Sequence, residues 1–442
     1  MSLLERIQEL LDGSEWRKDH WKLFVIISLS FTLNGVLFSI VPATLYIISP
    51  DHAIYIMAIN SIAFMLGSVF LGRLADLFGR RVLLITTLSI YLSGSILFLF
   101  STGSLLLIYL STSLINFGVG GEVGAAYSAI AEMIPARDRG KAIMLSANFW
   151  NIGAAIIAGL ALIYAEIYTD LETQFRYLVL TAALLGLVVA LVRIHIPESP
   201  RWLVEKNRVN EALDIVKRFV GIKDFIIKDF SEKKRPSHEI GLREVATRRT
   251  YLFRLLILVI ITATQLLTYN MIAYYLPYSK DFIYGASEAP TIIFISNLGA
   301  SVGAFILIPL IDWSRRFSTT LSYLGGFVTA LSILTVYFVA SQAYNIFLTT
   351  LFINMIFAEW AWASLSSLES ELFPTGVRAS VIGLNTGLAW FFNTLIILVE
   401  EMISSTTYLY LTTFLWLIGF IASLTWYIRG VETAKKPLEK II

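Results

Sequence analysis

The chain contains no cysteine, so neither a disulfide nor a thiolate metal site is open to it. Its four histidines, His20, His52, His195 and His238, are scattered and suggest no shared metal ion. Charge is scarce: Asp, Glu, Lys and Arg make up 15% of 442 residues, with a net charge of +2. So even a balance gives no footing for nucleic acid. No nucleophile–base set and no phosphate-cradling loop is visible, which argues against an enzyme and implies no cofactor. No cleavable signal peptide is read at the start.

What is present is apolar surface. Hydrophobic residues make up 57% of the chain, and the mean hydropathy is +0.72. That is the composition of a protein that crosses a membrane many times, with the lipid bilayer as its first partner. Twelve runs are long enough to cross about 30 Å of hydrocarbon as helices. They fall near 22–46, 53–73, 82–101, 104–133, 141–164, 175–195, 251–278, 288–312, 318–340, 343–372, 379–400 and 406–428. A polar stretch divides them six and six. The expected organisation is therefore a segment 1–21, a six-helix bundle 22–195, a linker 196–250, a second bundle 251–428 and a tail 429–442.

Placing both termini on one side puts nearly all Lys and Arg there; only Arg176 and Lys280 fall opposite. The positive-inside rule makes that side cytoplasmic, for a multi-pass protein of the cell membrane. The opening residues, LLERIQELLDG, form an apolar stripe of Leu3, Leu4, Ile7, Leu10 and Leu11. This predicts a short helix lying on the membrane surface. A second stripe over Val209–Val220 predicts a helix beneath the bundle. The stretch 232–239, EKKRPSHE, reads as a flexible link.

The charges inside or beside the apolar runs carry the functional argument. GRLADLFGRR (72–81) holds Asp76 and Arg80 in a tight turn, and Asp312, Arg315 and Arg316 repeat that grammar in the second half. Glu132 and Arg139 follow span 4; Glu371 and Arg378, with the same spacing, follow span 10. Such a repeat points to two related halves. All these groups map to the predicted cytoplasmic ends, where acid–arginine pairs between spans would hold that face shut. Glu122, in GVGGEVG, and Glu359 lie deeper. An ionisable group at that depth is a site for a coupling proton.

Span 7 brings Gln265, Tyr269, Asn270 and Tyr274 to one side of a helix. Amides beside aromatic rings suit a small, polar, neutral solute. Trp390 lies mid-span in span 11; Asn34, Asn148, Asn151, Asn297 and Asn385 are further polar groups within the spans, and Trp360 and Trp362 further rings.

Taken with their motifs, these residues resemble the major facilitator superfamily, and within it the sugar porter family. GRLADLFGRR is similar to the superfamily's loop between spans 2 and 3. Glu132-x-x-Pro135-x-x-x-Arg139-Gly140, Pro197-Glu-Ser-Pro-Arg-Trp-Leu203 and Glu371-Leu-Phe-Pro-x-x-x-Arg378 resemble sugar porter motifs after spans 4, 6 and 10. Gln265-x4-Asn270-x3-Tyr274-Tyr275 resembles the span 7 sugar-contact motif. Val431-Glu-Thr-Ala-Lys-Lys-Pro-Leu-Glu439 resembles the family's C-terminal motif. The resemblance implies an all-α fold of two pseudo-symmetric six-helix bundles with short cytoplasmic helices. It implies alternating access around a central site, with sugar contacts at Gln265, Asn270 and Trp390. It departs from the family at Thr264, where a second glutamine is usual, and at AEWAWASLSS (358–367), which lacks the usual prolines. Asn34 stands where proton-coupled members carry aspartate, whereas GVGGE is similar to proton symporters of organic acids and phosphate. The expectation is a monomeric secondary transporter of a sugar-like solute, proton-coupled through Glu122 and Glu359. The alternatives are a carrier of organic anions or cations, a facilitative uniporter, or a transporter-like sensor.

Overall fold

A computed structural model describes residues 3–221, 241–279, 281–340, 342–400, 402–438 and 441. The predicted link 232–239 lies outside these. Among the described residues, twelve helices are long and apolar enough to cross a membrane, and there is no strand.

The first set is α2 (Lys18–Ile48), α3 (Ala53–Phe78), α4 (Arg80–Leu99), α5 (Leu105–Met133), α6 (Arg139–Ile167) and α7 (Leu171–Arg193). The second is α11 (Arg249–Asn270), α12 (Ala289–Ile311), α13 (Arg315–Val339), α14 (Tyr344–Glu371), α15 (Thr375–Glu400) and α16 (Ser405–Arg429). Four short helices complete the chain: α1 (Leu3–Asp12), α8 (Pro200–Glu205), α9 (Val209–Val220) and α10 (Leu242–Thr247). The fold is all-α, two pseudo-symmetric six-helix bundles with short helices on the face that bears both termini. That face is called the basic face below, and its opposite the far face.

Lipid supplies no hydrophobic drive between helices, so close packing must come from small side chains. Two seams join the bundles, α3 with α15 and α6 with α12. At the first, Gly383 lies so near the Ser68 carbonyl that a Cβ would sit 2.2 Å from its oxygen. No larger residue fits without parting the helices.

Each bundle starts its third helix the same way. Gly79 turns α3 into α4 with φ +101°, a conformation open chiefly to glycine. Glu198 then accepts from the backbone N–H of Arg80 (2.9 Å) and Arg81 (3.1 Å). In the second half, Glu432 accepts from the N–H of Arg315 (2.9 Å) and the Ser314 hydroxyl (2.5 Å). A carboxylate at a helix N-terminus satisfies orphan donors and opposes the helix dipole. This explains the acid in both Pro197-Glu-Ser and Val431-Glu-Thr.

The N-terminal helix departs from expectation. Its stripe does not face outward: Ile7 and Leu11 are fully buried, and α1 packs against α8 and α9. Asp12 explains the difference. Its carboxylate pairs with Arg139 and, at 2.6 Å, with Arg201, anchoring the helix under the bundle.

Candidate functional site

A cavity lies between the bundles, lined by Phe31, Phe38, Phe64, Val123, Tyr127, Ala147, Trp150, Asn151, Gln265, Leu266, Tyr269, Asn270, Glu359, Trp362, Thr386 and Trp390. Both halves contribute. Half of the lining is aromatic, with Trp390 stacked on Phe64 at 4.2 Å and Trp150 beside Phe38 at 5.4 Å. Such walls hold a ring-shaped solute by its faces.

The polar groups sit on one side and hold each other in place. Asn151 donates to Glu359 Oε2 (2.7 Å) and to Asn148 Oδ1 (3.3 Å). The Tyr269 hydroxyl donates to Asn297 Oδ1 (2.7 Å). Gln265 Nε2 donates to the Ala358 carbonyl (3.1 Å), and Asn270 Nδ2 to Asn393 Oδ1 (3.2 Å). Around the cavity, Glu359 Oε1, Gln265 Oε1 and the Thr386 hydroxyl are left without a protein partner. Those atoms have hydrogen-bonding capacity to spare.

Four of the seven predicted substrate residues, Gln265, Tyr269, Asn270 and Trp390, line this cavity. Three do not. Tyr274 is fully buried toward the far face, bonded to the Ser39 hydroxyl (3.1 Å) and to Asn297 (3.4 Å). The cause is local: after Asn270 the α-helix gives way to a π-helical turn, Met271–Tyr275, which shifts the register that a straight helix would keep. Asn148 turns to Ser301 on α12 (3.3 Å) and so belongs to the second seam. Asn34 is fully buried in α2, away from the cavity lining.

The two predicted proton sites separate sharply. Glu122 is held by Arg193 through two bonds (2.5 and 2.8 Å), with Tyr91 (3.1 Å) and Thr87 (3.3 Å) donating to the same carboxylate. It does not line the cavity. The sequence reading missed Arg193 because that residue lies at the very end of span 6, where an arginine passes for a topology marker. Glu359 does line the cavity, 4% exposed, with no basic side chain within ion-pairing reach among the described residues.

On the basic face, most of the predicted charges meet. Glu132 Oε1 accepts from Arg80 (2.9 Å) and, across the bundles, from Arg378 (2.8 Å). Asp76 pairs with Arg80 (3.2 Å) and accepts from the N–H (2.7 Å) and hydroxyl (2.5 Å) of Ser380 in the other half. Arg315 bonds to Asp312 (3.0 Å) and Glu371 (3.2 Å). Two groups differ from the expected mirror. Arg139 pairs with Asp12 rather than with an acid of the bundles. Arg316 packs on the Tyr427 ring (5.1 Å) and donates to the Tyr427 carbonyl, leaving Arg315 as the inward arginine.

The far side is bridged too. The Tyr278 hydroxyl donates to the Pro42 carbonyl, and Ser61 donates to the Trp390 carbonyl (3.0 Å). The bundles are thus bridged on both sides of the cavity, by a distinct set of contacts at each. A central chamber between two lobes is the arrangement of a carrier.

The pattern of the sugar (and other) transporter family matches residues 45–442, and the chain belongs to that family. Family and fold are those of transporters, not enzymes. The chain is 25% identical to the niacin transporter NiaP of Acinetobacter baylyi, covering 100% of both chains. Its fold matches the proton:xylose symporter XylE bound to 6-bromo-6-deoxy-D-glucose, with a TM-score of 0.81, 16% identity and coverage of 96% and 98%. Against the inward-open conformation of XylE from E. coli the TM-score is 0.66, at 16% identity and coverage of 96% and 99%.

Proposed function

We propose that this protein is a proton-coupled secondary transporter that carries a compact, ring-shaped polar solute, a sugar or sugar-like molecule, by alternating access. Both termini and the charge clusters face the cytoplasm, the chain sits in the cell membrane, and a single copy suffices. The observation that carries the reading is Glu359: a carboxyl group in a chamber half lined by aromatic rings, with no cation beside it among the described residues. A group so placed needs either a proton or a positively charged ligand. With a neutral solute, the proton is the natural second passenger.

Solute hydroxyls would meet Gln265 Oε1, Thr386 and Glu359, while the ring stacks between Trp390, Phe38 and Trp150. Breaking the contacts of Glu132 with Arg378 and of Asp76 with Ser380 would open the chamber inward. Breaking those of Tyr278 and Ser61 would open it outward.

The aromatic half of the lining also favours a second reading, a flat nitrogen heteroaromatic, and the full-length similarity to a niacin transporter supports it. Purified protein in liposomes, offered labelled xylose, glucose and nicotinate with and without an inward proton gradient, separates the two. Gradient-driven sugar uptake that Glu359→Gln abolishes is the expected result. Nicotinate uptake without sugar uptake would replace the first reading with the second. Sugar uptake indifferent to the gradient would remove the coupling.

A further inference from the structure

α14 carries a second buried acid that resembles Glu359 and no other acid described above. Glu369 is 1% exposed. Its Oε2 accepts from Asn385 Nδ2 on α15 (2.8 Å), and its Oε1 has no partner. Asn385 in turn donates to the Thr262 hydroxyl on α11 (2.8 Å). The groups around Glu369 are therefore Asn385, Thr262, Tyr127 of α5 and Ser366 of its own helix, and no basic side chain is in reach among the described residues. Glu371, two residues on, turns to Arg315 instead. Glu122, Glu132, Glu371 and Asp12 all face an arginine.

Position 359 is followed on the same face of α14 by 362, 366 and 369, spaced three, four and three apart. That is one helical stripe, about 15 Å long at 1.5 Å per residue. Opposite it stands Tyr127 of the other bundle. Its hydroxyl accepts from Trp362 Nε1 (2.9 Å), and the buried Ser366 hydroxyl on the stripe has no hydrogen-bond partner. The stripe begins in the cavity and ends next to the charge cluster of the basic face, buried between bundles that must separate there when the chamber opens inward.

We propose that Glu369 is a second proton site and that this stripe passes the coupling proton from the cavity to the basic face. The inference rests on the coupling role of Glu359. In the step, the Glu359 O–H bond breaks and its proton enters the chain. The Tyr127 hydroxyl takes up one proton and gives up one, and the free Ser366 hydroxyl, next in the stripe, does the same on the way to Glu369. The Glu369 carboxylate gains an O–H bond. Glu359 and Tyr127 both line the cavity, so cavity water closes the first gap. Opening of the basic face then wets Glu369, which releases the proton; Glu359 takes another only after that face has closed and the far side has opened.

Infrared spectroscopy of the purified protein in lipid tests the protonation without a solute. Wild type should show carbonyl bands of buried neutral acids at neutral pH, and Glu369→Gln should remove one of them. In liposomes, with labelled xylose, glucose or nicotinate as the uptake screen selects, Glu369→Gln should lose gradient-driven accumulation and keep equilibrium exchange. Glu369→Asp should restore part of the accumulation, and Tyr127→Phe should slow it. Retained exchange shows that the variant is folded and binds. An unchanged infrared spectrum, or full accumulation in Glu369→Gln while wild type is gradient-driven, overturns the relay alone. Wild type indifferent to the gradient overturns the coupling reading and the relay together.

Discussion

The two charge clusters on the basic face descend from one pattern, yet they are wired differently. In the first half, Glu132 is the single acid between two fully buried arginines, one from each bundle. In the second, Glu371 shares Arg315 with Asp312 and, among the described residues, bonds to nothing across the seam. The arginine that mirrors Arg378 is Arg139, and it is taken by Asp12 of the N-terminal helix. The lesson is that a duplicated motif need not keep a duplicated role. The first cluster locks bundle to bundle through buried arginines, whereas the second reaches the other bundle only through the half-exposed Lys141 among the described residues, and the mirror arginine goes to the chain's own N-terminus.

The sharpest way to break this comparison is Glu132→Gln set against Glu371→Gln. Removing one partner of a buried ion pair strands a charge, at about 3–5 kcal/mol. Glu132→Gln strands Arg80 in part and Arg378 wholly, so it should cost that full amount in thermal or denaturant stability and abolish transport. Arg315 keeps Asp312 after Glu371→Gln, so the loss there should be no more than about half. Equal losses in the two variants would show that the clusters are equivalent after all.

Asp12→Asn comes next. Burial works against charge on Asp12, but Arg201 and Arg139 outweigh it and hold the carboxyl below its usual range. Its stabilisation is therefore complete above the unfolded pKa and is lost as pH falls through the lower folded value. The amide should cost about 2–3 kcal/mol and remove that acid-side loss. It should also speed labelling of a single cysteine placed at the inner mouth, which the cysteine-free chain makes a clean reporter. Unchanged labelling would confine α1 to a structural role.

A smaller effect separates the clusters by pH. Glu205 on α8 sits under the first cluster; burial, then the negative charge of Glu132, pushes its carboxyl up to about 7 from 4.5. A raised acid favours the folded, closed form while it is protonated. That contribution is whole below about pH 4.5, fades as pH rises and is gone above about 7. Stability of wild type should fall across this window, and Glu205→Gln should flatten the slope. An identical slope in the variant would acquit Glu205.

Much of this was legible in the chain alone. Hydropathy placed twelve spans, because a bilayer imposes length and apolarity on every helix that crosses it. The charged motifs located the basic-face clusters, and the amides of span 7 located the cavity. What stayed hidden was pairing. Glu122 and Glu359 look alike in sequence, and only the fold shows that Arg193 neutralises the first while the second stands among aromatic rings. Glu369 was masked by its neighbour Glu371, which belongs to a motif. Trp150, Phe31, Phe38 and Phe64 carried no signal, since rings in a membrane span are ordinarily lipid-facing or core. The π-helical turn after Asn270 broke the periodicity that had put Tyr274 on the cavity side.

The weakest contact sharpens the comparison from below. Lys141, 40% exposed, approaches Asp312 at 3.8 Å and is the second cluster's only ion pair with the other bundle among the described residues. Solvent screens such a pair, and holding a lysine side chain in one geometry costs entropy that offsets the attraction. Lys141→Ala should therefore change stability by less than about 0.5 kcal/mol and leave transport rates unaltered. If it matched Glu132→Gln in impairing transport, the second cluster would be a gate in its own right, held by a bond that geometry alone rates as minor.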